Sequence, residues 1–202
     1  MQKEQNESTQ AELELSVIKK IMEDSRSVVI DNGWHYIYWG VVVSGALIAN
    51  YIMAIYRVPF NYQGLMWFIT MISAAIIGGI YERIAEKKRK VKTFAGKLLS
   101  SLWFAGGIAM FMFGFVGTIT NSYNAIYIAP IISTVLGITY YTSGEIQQIK
   151  MLKYISFIWW AGAIFLFALP TVHTLLIFGV MMIFFQVIPG VIIRNKYKKE
   201  SV

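Results

Sequence analysis

The chain has 202 residues, of which 56% are apolar and only 14% charged; a soluble domain carries about a quarter charged residues, so most of this chain is not built for water. It contains no cysteine, which excludes disulfide frameworks, thiolate nucleophiles, zinc–cysteine sites and iron–sulfur clusters. The formal charge of +7 comes from 18 Lys and Arg against 11 Asp and Glu, and the placement of the basic residues matters more than their total.

The first 33 residues are polar and acidic, without the basic stub and apolar core of a secretory signal. Thr9 and Glu12 have capping-box spacing. Leu13, Val17, Ile18, Ile21, Met22, Val28 and Val29 then mark one face of an amphipathic helix. Asp31-Asn32-Gly33 supplies a stop before Trp34. This segment holds four basic and seven acidic residues. Its helix is therefore expected to avoid an anionic leaflet, which attracts basic polar faces. It is expected to dock on the protein's own basic surface or on a partner protein.

Six apolar blocks follow, at about 34–56, 62–81, 99–119, 125–142, 151–169 and 172–193. Each suits the roughly 20 helical residues that cross a hydrocarbon core. None has an internal charge except Lys153, at the rim of the fifth. A fused fifth and sixth helix would exceed about 60 Å, so the chain is expected to turn at Pro170. The expected fold is all-α: a polytopic membrane protein with a cytoplasmic amphipathic helix (1–33), six transmembrane helices (34–193) and a basic tail (194–202).

Under this scheme 17 of the 18 Lys and Arg fall on one side, and Arg57 alone falls on the other. The positive-inside rule then places both termini in the cytoplasm. Tyr36, Tyr38, Tyr81, Tyr140, Tyr141 and Tyr154 fall at inner helix ends, and Tyr51, Tyr56, Tyr62, Tyr123 and Tyr127 at outer ends. This is the pattern of an interfacial belt.

Small residues every fourth position let helices approach closely in lipid. They occur at Ala125, Ala129, Ser133 and Gly137, and at Ala74/Gly78 beside Ala75/Gly79; the third block offers Gly107, Gly114 and Gly117. Bundle packing is their first meaning, a homodimer interface their second. Residues 103–111 and 159–167 also share a Trp-x-Ala-Gly pattern, as a repeated hairpin would.

Chemistry finds little support. His35 and His173 start helices on opposite faces, too far apart to share a metal or haem. Neither Ser44 nor Ser143 has a base at its depth. Coupled transport calls for an intramembrane ionisable group, and the blocks lack one. No catalytic, cofactor or metal site is expected, and hence no cofactor. Asn50, Gln186 and Trp160 form the candidate intramembrane polar site, either as interhelical hydrogen-bonding groups or along an uncoupled path for a neutral solute. Pro130 and Pro189-Gly190 are candidate helix breaks.

Lys87, Lys88, Arg89, Lys90 and Lys92 form a basic run after the second block. It is expected to contact anionic lipid or the N-terminal helix. The connection is too short to build a nucleic-acid-binding module. The acidic helix, the Asn32-Gly33 break and the aromatic run into Trp39-Gly40 resemble a group of small six-span membrane proteins of bacteria, over the stretch to about Gly45. That resemblance implies a bacterial inner membrane and supplies no activity. The expected function is a non-enzymatic interaction or sensing module acting through the N-terminal helix; the alternative is a small uncoupled transporter or channel.

Overall fold

The computed structural model describes residues 10, 12–17, 19, 33–88 and 94–200, with side chains omitted at 85–88 and 197–200. Most of the expected N-terminal helix, including Thr9, Ile18, Ile21, Met22, Val28 and Val29, lies outside the described residues, as do Arg89, Lys90 and Lys92.

Six long helices make up the described body: α1 Trp34–Ile55, α2 Phe60–Lys88, α3 Phe94–Ile119, α4 Ala125–Gln147, α5 Lys150–Ala168 and α6 His173–Lys196. No strand occurs among the described residues. All six are long and apolar enough to cross a membrane, as in a multi-pass membrane protein. Several outrun their apolar blocks, α2 reaching Lys88 and α4 reaching Gln147. Apolarity marks the length suited to lipid, whereas Lys, Glu, Gln and Arg continue a helix readily and can carry their charged or polar ends out to water.

The connections are tight. The chain leaves α1 through Arg57 (φ 54°), α3 through Asn121 (φ 52°) and α4 through Gln148 (φ 55°), all in the left-handed region. The break between α5 and α6 falls at Pro170, where the Thr171 N–H donates to the Leu169 carbonyl at 2.9 Å. The expected hairpin is present.

α1 and α6 run antiparallel along their whole length, and α4 and α5 form the closest hairpin. α3 lies along α4 and α2 along α1. Only 6% of the span residues are buried in α2 and α3, against 39% in α4 and 44% in α6. The core therefore sits between α1, α4, α5 and α6.

Glycine sets the α1–α6 spacing. A β-carbon on Gly190 would lie 2.8 Å from Tyr36 Cβ and 2.9 Å from the Ile37 nitrogen. One on Gly40 would lie 2.6 Å from Val187 Cγ2. Gly33 meets the Gly190 carbonyl and holds φ +71°, a conformation for which glycine carries no steric penalty. On α4, Ala129, Ser133 and Gly137 are buried as expected, with the Trp160 indole over Gly137. Gly78 packs on Tyr38, but Gly79, Gly107 and Gly114 face open space.

The two prolines are absorbed without a break. Pro130 lies in the first turns of α4, after the 3-10 turn Ala125–Tyr127. Pro189 follows a π-turn, Ile183–Val187, in which the Ile188 N–H reaches back to the Ile183 carbonyl. A widened turn gives room where a proline ring would crowd the preceding carbonyls.

Candidate functional site

Asn50 and Gln186 are both buried, 9% and 3% exposed. Gln186 sits in the π-turn of α6, its Cγ 3.3 Å from where a β-carbon on Gly40 would be. Asn50 lies ten residues further along α1, about 15 Å at the helical rise. Trp160 points the other way around α5, its Nε1 donating to the Thr134 carbonyl at 3.3 Å and its ring stacked near Tyr141. The three expected site residues therefore occupy three places and are not brought together.

What converges instead is an aromatic and polar seam in the Tyr36 half of the bundle. Tyr36 stands edge-on to Trp103 at 5.5 Å and to Tyr140 at 5.4 Å between ring centroids. Trp103 and Trp159 flank Tyr140 at 5.8 and 6.0 Å. Trp159 then meets Phe178 and Phe185 of α6. Tyr36 and Tyr140 are thus core residues, 2% and 0% exposed, and not members of the interfacial belt. Tyr81, Tyr141 and Tyr154 remain exposed at the same end, and Tyr56 and Tyr62 at the other. The two tryptophans of the Trp-x-Ala-Gly pattern turn onto one tyrosine, and Gly106 and Gly162, at matched positions, both lie against neighbouring helices.

Polar atoms line this seam. Gln147 Nε2 donates to Tyr36 Oη at 3.3 Å. Gln147 Oε1, Ser143 Oγ, Trp159 Nε1 and Gln186 Oε1 are buried with no hydrogen-bond partner in the protein, as is Asn50 Oδ1 farther along α1. Other buried hydroxyls are satisfied locally: Ser44 donates to the Gly40 and Gly179 carbonyls, Ser133 to Trp159 and Ser156 to Lys153. Ser143, Gln147 and Trp159 were not among the expected site residues. A signal for Gln147 exists in the helical phase. Ser133, Gly137, Tyr140, Gly144 and Gln147 continue the small-residue stripe of α4 at spacings of three and four.

Charges stay at the ends. His35 Nε2 lies 3.2 Å from Glu82 Oε1, and His173 Nδ1 lies 3.0 Å from Tyr51 Oη. Residues 35 and 51 stand about 24 Å apart along α1, so the histidines occupy opposite ends. Lys153 pairs with Glu145 at 2.6 Å beside the α4–α5 turn, and Arg194 lies over the Trp34 ring. Among the described residues no three His, Asp or Glu side chains group as metal ligands. The seam can position neutral hydrogen-bonding groups; nothing in it pairs an acid with a base. Comparison with protein-family models, with curated proteins and with solved structures finds no match for the chain.

Proposed function

We propose that the protein is a non-enzymatic module of a bacterial inner membrane, with both termini cytoplasmic, that works by protein contact through its N-terminal amphipathic helix. The uncharged interior carries this reading. Tyr140, Leu152, Trp159 and Leu166 are each 0% exposed between the helices, and the buried set of described residues holds no charged side chain. Proton-coupled work needs an ionisable relay. The bundle is better suited to be a scaffold.

The 17-to-1 division of basic residues supports the orientation. In the described part of the N-terminal segment, Leu13 and Val17 stand one helical turn apart and are 61% and 53% exposed, which leaves an apolar face to be covered. The segment is acidic, and residues 82–97 carry seven basic and two acidic groups. Lys87, Lys88, Arg89, Lys90 and Lys92 therefore suit either anionic headgroups or that helix. Exposed ion pairs contribute only about 0–1 kcal/mol each, so the apolar face must supply most of any attachment.

A photoreactive amino acid at Val17 of the full chain, activated in native membranes, tests this. Cross-links to protein, within the chain or to a partner, are expected. Adducts to lipid alone, together with solute flux through vesicles carrying the purified protein, would favour the transporter reading.

A further inference from the structure

We infer that the seam between α1, α4, α5 and α6 binds a small group of internal water molecules, held by Gln147 Oε1, Ser143 Oγ, Trp159 Nε1 and Gln186 Oε1. Each of these atoms is buried and lacks a protein partner, and a buried polar group left bare is costly. Their chemistry is mixed. The two amide oxygens only accept, the indole N–H only donates, and the serine hydroxyl does both. A water molecule, with two protons and two lone pairs, satisfies such a set; an ion of either sign would find half of it repulsive.

The residues that carry them are linked through a chain of side-chain contacts. Ser143 and Gln147 lie one and two turns from Tyr140 on the same face of α4, and the Gln147 amide reaches Tyr36 Oη. Gly40, one turn from Tyr36, faces Gln186. The Trp159 ring touches both Tyr140 and Phe185. The π-turn at Ile183–Val187 holds Gln186, and such turns recur at functional sites because they re-aim side chains. Buried waters occur at about one per 27 residues and usually make two to four hydrogen bonds, so a few at this seam are ordinary for a chain of this size. Farther along, the same face of α5 continues as the buried apolar residues Ala163 and Leu166. The waters form a closed cluster rather than a file across the membrane.

Millisecond X-ray hydroxyl-radical footprinting of the full-length protein in lipid nanodiscs tests this, because bound water generates radicals beside side chains that bulk solvent cannot reach. Trp159 and Tyr140, both 0% exposed, should be oxidised at rates approaching that of exposed Tyr154 after correction for intrinsic reactivity. Buried Leu166 should stay at background. Gln186→Met should lower the Trp159 rate several-fold, and Ser143→Ala should do the same for Tyr140 if the first variant fails to fold. Background labelling of Trp159 and Tyr140 in the native chain overturns the inference. So does labelling that persists unchanged in the variants.

Discussion

Replacing Gly190 by alanine places one methyl group into the α1–α6 contact. The new carbon would stand 2.8 Å from Tyr36 Cβ and 2.9 Å from both Ile37 Cγ1 and the Ile37 nitrogen. A side-chain end could swing aside, but the Ile37 nitrogen belongs to the α1 backbone, so the two helices must separate. Overpacking of this kind costs about 1–3 kcal/mol, and the better helix propensity of alanine returns up to about 1 kcal/mol. A net loss of about 1–2 kcal/mol corresponds to a melting point lower by about 2–8 °C for a chain of this length. Gly45, on α1, is the control: a β-carbon there meets nothing within 4 Å. Tryptophan fluorescence during heating of the purified protein reads both variants. Gly190→Ala should melt early, with Gly45→Ala unchanged or slightly later. Equal shifts for the two would refute glycine-set packing between α1 and α6.

Asn50→Leu removes a buried amide oxygen that has no protein partner. Hydrogen bonds between membrane helices average well under 2 kcal/mol, so its melting point should stay within a few degrees of the native value; an intact fold that lost a measured solute flux would instead point to a transport path. His35 and His173 each have a neighbour at their own end of the bundle, so purified protein should carry less than stoichiometric zinc and show no haem absorbance. A metal lost on His35→Ala or His173→Ala would contradict that.

The six spans were legible because an apolar block about 20 residues long has few uses other than crossing lipid. The turn at Pro170 was legible because one helix could not be that long. The α4 stripe read correctly at Ser133 and Gly137: the Ser133 hydroxyl donates to the Trp159 carbonyl, and the Trp160 indole lies over Gly137. Two things were hidden. Gly190 looked like part of a break, yet it and Gly40 are contact points within continuous helices; sequence spacing on one helix does not say which other helix will meet it. The adjacent tyrosines Tyr140 and Tyr141 also read as equivalent. Tyr140 turns to the core and Tyr141 outward, and only the phase of the surrounding stripe separates them. For Asn50, Gln186 and Trp160, residue type marked them as polar or aromatic, but their depth and facing depend on helix pairing that composition does not encode.

The central claim is six crossings with 17 of the 18 Lys and Arg on one side. The chain has no native cysteine, so single cysteines at exposed positions report sidedness without background. An impermeant maleimide added to intact cells should label Asn61→Cys, Ser122→Cys and Thr171→Cys, which sit in the first turn of α2 and in the α3–α4 and α5–α6 connections. Ser16→Cys and Asn195→Cys should react only after the membrane is opened. Labelling of Ser122→Cys and Asn195→Cys from the same side would contradict the six-span arrangement.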